Sequence, residues 1–314
     1  MNIWIIGAGI IAQEYGKVLK SLGYDFTVIG RGEKSAQSYK EIVDKNVITG
    51  GLDSFLLTNP TIADKVIIAT NLDSLSNITI KLLNYGVLNI FCEKPGFLYP
   101  SELKNVYTIA KEKGANIFYA YNRRFYSSVL KAEEIIKEDG GVKSFNFEFT
   151  EWGHVIEKTN KPKEDLENWL YANSTHVIDL AFFLGGDPIQ LTSFTAGELP
   201  WHKPCVFAGA GITNKGALFN YAANWAAPGR WNVEILTSKH RLYLRPMEQL
   251  QIQQLGSVAI TPVKIEDSWD KEYKPGFYLE TKAFIHNDNT RLCSLDEQIH
   301  HINIYNKIRG REND

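Results

Sequence analysis

The chain has 314 residues, 34 Lys and Arg against 36 Asp and Glu, a formal net charge of -2 and 44% hydrophobic residues. That length supports two domains with buried cores of their own, and a near-neutral chain without a long basic block argues against nucleic acid or an anionic membrane as partner. Cys92, Cys205 and Cys293 are widely spaced and form no C-x-x-C pattern, which argues against a disulfide framework or a zinc site. The apolar N-terminal stretch lacks a basic leader and is broken by glycines, unlike a signal peptide, and no run approaches a membrane span. The expectation is a cytoplasmic protein that handles a small molecule.

In chain order, "NIWII", "FTVIG", "KVIIAT", "LNIFCE" and "ANIFYAY" read as buried strands, separated by amphipathic stretches such as "AQEYGKVLKSLGY" and "SLSNITIKLLNYG". This alternation predicts a parallel sheet with crossover helices. After Tyr121 the pattern changes. A helix-like "SSVLKAEEIIKEDGG" is followed by "VKSFNFEFTEW", "ALFNYAANW", "RWNVEILTS" and "HRLYLRP", whose aromatic alternation suits antiparallel strands. One helix, "NSTHVIDLAFFLGG", interrupts them. Leu295, Ile299, Ile302, Tyr305 and Ile308 recur at three- and four-residue steps and predict a terminal helix. The expected fold class is α/β. A parallel-sheet α/β domain over residues 1–122 precedes an α/β domain with a largely antiparallel open sheet over 123–314.

"GAGIIA" places Gly7, Gly9 and Ala12 between a strand and a helix, the context of a dinucleotide fingerprint. Gly7 suits the tight turn, Gly9 close approach of a pyrophosphate, and Ala12 close helix packing. Ile10 and Ile11 open the helix whose N-terminus receives phosphate charge. At the end of the second strand, Gly30 stands where NAD-binding folds usually carry an acid, and Arg31 follows. That exchange predicts NADP(H) in preference to NAD(H), with Lys34 or Ser35 assisting Arg31, against the plain alternative of a solvated loop charge.

Together "GAGIIA", "VIIATN", "EKP", "YNRRF" and the histidine of "STHVIDL" resemble the Gfo/Idh/MocA oxidoreductases. The resemblance is strongest over residues 1–126 and diffuse beyond Gly186. It implies a Rossmann domain and a second domain whose open sheet forms a subunit interface, hence a homodimer or homotetramer. It also implies NAD(P)-dependent chemistry on the CH-OH group of a carbohydrate, giving or consuming a ketone. On this resemblance Thr70, Asn71, Glu93, Lys94 and Asn122 border the cofactor. Lys94 holds the reacting oxygen, His176 carries the proton, and Tyr121 and Asn173 join them at the substrate. Arg124 also lies where relatives border the site, although Arg123 and Arg124 serve equally well as ion-pair partners between domains.

One departure stands out. The family's D-x-x-x-H pattern has Ala172 in place of the carboxylate, leaving Asn173 as a neutral substitute and favouring a substrate anchored elsewhere, such as a nucleotide-linked sugar. Ser174 or Asn173 is expected to cap the helix that carries His176. Trp152, Trp169, Trp201, Trp225 and Trp231 offer a sugar-stacking wall, with core packing the expected fate of most. His300 and His301 lack a second ligand pair, so no metal is expected. A non-catalytic sugar or nucleotide sensor on the same fold is the alternative reading.

Overall fold

The computed structural model describes residues 1–311. They form two compact units: residues 1–121 with 272–299, and residues 122–271 with those from His300 onward. The division is therefore not a single cut in the sequence, because the chain returns to the first unit near its end.

The first unit is built on β1 (Ile3–Ile6), β2 (Thr27–Ile29), β3 (Val47–Ile48), β4 (Lys65–Ile68), β5 (Asn89–Cys92) and β6 (Asn116–Tyr119). The second is built on β7 (Ser144–Glu148), β8 (Pro188–Ala196), β9 (Val206–Thr213), β10 (Leu218–Asn224), β11 (Asn232–Leu236), β12 (His240–Leu244), β13 (Gln251–Gln254) and β14 (Ile260–Pro262). A short β15 (Cys293–Ser294) rejoins the first sheet, pairing antiparallel with β6.

Strand order in the first sheet is β15-β6-β5-β4-β1-β2-β3, and β1 to β6 pair in parallel. This is the doubly wound arrangement, with the order reversing between β1 and β4. Helices cover parallel sheets on both faces, which is why every residue of "IWII" and "KVII" is buried. Lys65 is the charged exception. Its Nζ donates to the Phe284 carbonyl and to Asn287 Oδ1, each at 2.7 Å, and lies over the Phe284 ring. Burial lowers its pKa.

The second sheet runs β14-β13-β12-β11-β7-β10-β9-β8 and is antiparallel except where β10 pairs with β7. Residues alternate strictly along β10: Phe219, Tyr221 and Ala223 are buried, and Leu218, Asn220, Ala222 and Asn224 are exposed. The buried face carries a row of rings, including Phe145 stacked on Phe219 at 5.3 Å and Phe147 on Tyr221 at 5.2 Å. Phe182, on the helix Thr175–Gly185, meets Phe145, Phe147 and Phe219 edge-on. Each such pair contributes about 0.5–1.5 kcal/mol beyond area burial. Those contacts fix the helix that carries His176 against the sheet.

β8, β9, β13 and β14 go beyond the strands read from sequence. The glycines of "VFAGAGIT" explain one omission: a Cβ on Gly209 would lie 2.4 Å from the Tyr221 ring, and one on Gly211 would lie 2.0 Å from the Gln190 carbonyl oxygen. Glycine there weakens strand character but admits the neighbouring chain and ring. The three cysteines are free and buried. No helix among the described residues is long and apolar enough to cross a membrane.

Candidate active site

At the β1/β4 reversal the first unit holds a cleft of about 430 Å³, whose walls include Gly7, Gly9, Gly30, Arg31, Ser35, Thr70 and Asn71. Gly7 is required there on two counts. Its φ is +122°, and a Cβ would lie 2.1 Å from the Ala69 carbonyl oxygen. Gly9 precedes the helix Ile10–Ser21 without a side-chain cap, and a Cβ there would enter open space. The first-turn N–H groups are thus available to an anion. Ala12 is packed inside, as its role in close helix packing demands, while Ile10 is exposed and neither Ile10 nor Ile11 forms a wall of the cleft.

Gly30 has a steric explanation. A Cβ would approach Val47 Cγ1 to 2.9 Å and Ala8 Cβ to 3.0 Å, so an acidic side chain does not fit without movement. Arg31 is exposed beside the cleft. Ser35 lines it but donates to the Gly32 carbonyl at 2.9 Å, whereas Lys34 does not contribute to its walls. Open space at Gly9, uncapped helical donors and a cationic rim fit a dinucleotide.

β5 ends in Glu93-Lys94-Pro95, with a cis Lys94–Pro95 peptide. Glu93 Oε1 accepts from the Tyr15 hydroxyl at 2.7 Å, and Glu280 Oε1 lies 3.4 Å from the same hydroxyl. Burial, then the carboxylates of Glu93 and Glu280, hold the Tyr15 pKa well above its ordinary value, so the phenol stays a donor. The Pro95 carbonyl accepts from Gln298 Nε2 at 2.8 Å, and Gln298 Oε1 accepts from Tyr121 at 3.2 Å. Lys94 is half-buried on this braced turn, and Tyr121 is buried behind it rather than presented on a surface.

In the second unit His176 is 6% exposed. Arg123 Nη1 lies 2.8 Å from His176 Nε2 and donates to Asn122 Oδ1 at 2.7 Å. Arg123 also lies over the Trp231 ring, and Arg230 lies over both Trp231 and Trp152. Arg230 Nη1 is 3.4 Å from Glu151 Oε2. Glu151 is 1% exposed and accepts from Asn173 Nδ2 at 2.9 and 3.1 Å and from Ser174 Oγ at 2.8 Å. Burial raises the Glu151 pKa, opposed by Ser174, Arg230 and Asn173. His176, Arg123, Trp231, Arg230, Glu151 and Asn173 thus form one continuous network.

Several expectations change here. Neither Ser174 nor Asn173 caps the helix: a π-helical turn, Leu170–Ser174, runs directly into Thr175–Gly185, and both side chains turn to Glu151. A buried carboxylate does reach this helix, that of Glu151, which follows β7 and accepts from the side chains of Asn173 and Ser174. Arg124 is 1% exposed and bonds Asp179 through Nε at 2.8 Å and Nη2 at 2.5 Å. That ion pair lies within the second unit, so Arg124 serves its interior and Arg123 serves the network. Trp169, Trp201 and Trp225 are core residues, and Trp152 and Trp231 accompany Arg230. Glu151 and Arg230 escaped sequence reading because no motif surrounds them, whereas Trp231 was one of the five tryptophans the sequence singled out.

Residues 1–121 match the family model described as an oxidoreductase family with an NAD-binding Rossmann fold. No curated protein matches the sequence significantly. Similar solved structures include a levoglucosan dehydrogenase in complex with NADH, with 17% identity and a TM-score of 0.80, the match covering 98% of this chain and 95% of the other. A UDP-N-acetylglucosamine 3-dehydrogenase from Acidithiobacillus ferrooxidans has 15% identity and a TM-score of 0.75, covering 99% and 97%. A protein from Desulfitobacterium hafniense described as an NADPH-dependent oxidoreductase has 16% identity and a TM-score of 0.80, covering 98% and 94%. These likenesses show the fold, and the match to the oxidoreductase family model extends over residues 1–121, the Rossmann portion of the chain.

Proposed function

We propose that the chain is an NAD(P)-dependent dehydrogenase that interconverts a secondary alcohol and a ketone on a carbohydrate. The observation that carries this reading is the cleft at the β1/β4 reversal, where Gly7, uncapped helical N–H groups and Arg31 suit a dinucleotide. The sugar dehydrogenases among the structures of similar fold support the substrate class. A bound nicotinamide supplies the hydride chemistry. Lys94 holds the reacting oxygen and stabilises negative charge on it, while His176 takes up or returns the hydroxyl proton. A guanidinium has only donors to offer, so His176 Nε2 accepts from Arg123 and the proton of the neutral ring sits on Nδ1. Proton uptake at Nε2 therefore requires the Arg123 contact to open.

NADP(H) is the preferred cofactor in this reading, since Gly30 supplies no acid and one there would require Val47 and Ala8 to move, while Arg31 offers a cation to a 2′-phosphate; NAD(H) is the alternative. The test is titration of the protein with NADPH and NADH by cofactor fluorescence, followed by a turnover screen of free and nucleotide-linked sugars. Cofactor-dependent oxidation of a sugar is expected. Tight cofactor or sugar binding with no turnover across the screen would favour the sensor.

A further inference from the structure

The second unit contains a cleft of about 250 Å³ lined by Arg123, Tyr126, Arg230, Trp231, Arg245 and Glu248, together with Pro246 and Met247. Three guanidinium groups around one small cleft give it a positive local potential that favours an anion. Arg230 has Glu151 at 3.4 Å. Among the described residues, no carboxylate lies within ion-pairing distance of Arg123 or Arg245, including Glu248 on the same rim. Even counting Glu151 and Glu248 as fully charged, three arginines leave the cleft net positive.

The walls are also specific in shape. Trp231 and Tyr126 are buried, yet they line the cleft beneath Arg123, which lies over both rings. A flat apolar surface below and guanidinium donors above suit a sugar ring that bears a charged group. Through Arg123 the cleft is contiguous with His176.

We infer that this cleft is the substrate's anion site, and that the carbohydrate bears a carboxylate or phosphoryl group held by Arg123 and Arg245. The inference rests on the dehydrogenase reading for the identity of its ligand as substrate, but its binding step is measurable without turnover. Each charge-assisted contact to such a group is worth about tenfold or more in affinity.

The test is isothermal titration of the full chain with D-glucuronate, D-glucose 1-phosphate, UDP-glucose and neutral D-glucose, repeated with Arg245→Ala and Arg123→Lys. Arg245 is exposed and unpaired, so its replacement leaves the fold intact, which a melting curve checks. At least one anionic probe is expected to bind ten times more tightly than D-glucose, and Arg245→Ala to remove most of that advantage. Uronate, sugar phosphate and nucleotide sugar as best ligand distinguish the sources of the charge. Equal affinity for neutral and anionic probes, no binding of any anionic probe, or undiminished anion binding in both variants overturns the inference. If anion binding is found without sugar oxidation, the dehydrogenase reading fails and the anion site stands. If a neutral sugar is oxidised and no anion binds, the reverse holds.

Discussion

Arg123 Nη1 and His176 Nε2 lie 2.8 Å apart, so an always-charged donor holds the nitrogen of His176 that faces it as an acceptor. Replacing His176 by Asn keeps a polar group of modest size but removes the proton carrier. Turnover is expected to fall by about 10²–10⁴-fold, the range of general acid–base contributions, with cofactor affinity changed by only a few fold. Steady-state kinetics across pH beside NADPH titration measure both quantities. An unchanged rate and pH profile would remove His176 from the mechanism.

Lys94 sits half-buried on a turn braced by the Gln298 bond to the Pro95 carbonyl. Lys94→Met keeps the long apolar stem and loses the charge, so turnover should drop by about 10²-fold or more while cofactor binding survives. Wild-type turnover in this variant would make Lys94 structural.

Arg31→Ala should weaken NADPH binding by about tenfold or more and leave NADH nearly unaltered, because one charge-assisted contact is worth about 1.5–3 kcal/mol. The difference should shrink at high salt, since Arg31 is exposed. Equal losses for both cofactors would show that Arg31 does not read the phosphate.

His202 is buried, and burial lowers its pKa from 6.5 to about 4. In the unfolded chain it takes a proton below about pH 6.5, while the folded chain resists protonation until about pH 4. Its contribution to stability is therefore fully present above 6.5 and is lost as pH falls toward 4, by about 3 kcal/mol at most. Glu151, with its raised pKa, acts in the opposite sense, destabilising as pH rises through its own range. Comparing urea midpoints of wild type and His202→Gln at pH 7 and pH 5 isolates the histidine: the pH 5 loss should be smaller in the variant.

The Arg124–Asp179 pair is almost fully buried. Arg124→Leu takes the guanidinium away from the buried Asp179 carboxylate, which also faces His301 Nδ1 at 3.5 Å, and should destabilise the fold by about 3–5 kcal/mol, while Arg124→Leu with Asp179→Leu should recover much of the loss. Denaturant midpoints provide the comparison. A double variant no more stable than the single one would mean that packing, not charge, sets the cost.

By itself the sequence determined β1, β2, β4, β5 and β6 of the first sheet, because parallel strands buried on both faces leave continuous apolar runs and the turn after β1 demands glycine at position 7; the two-residue β3 and β15 leave no such run. It also placed Thr70, Asn71 and the Glu93-Lys94-Pro95 turn at strand ends, since local order fixes which residues follow a strand. What only the tertiary structure decided is which side chains meet. Arg123 and Arg124 are adjacent identical letters, yet one reaches His176 and the other a buried Asp179, a difference set by the faces of a single 3₁₀ turn. Glu151, Arg230 and Trp231 join Asn173 and His176 across sequence separations of 22 to 79 residues. Strand pairing in the second sheet creates that proximity, and its register depends on the burial of Phe145, Phe147, Phe219 and Tyr221 together, a property of the packed sheet rather than of any local stretch of chain.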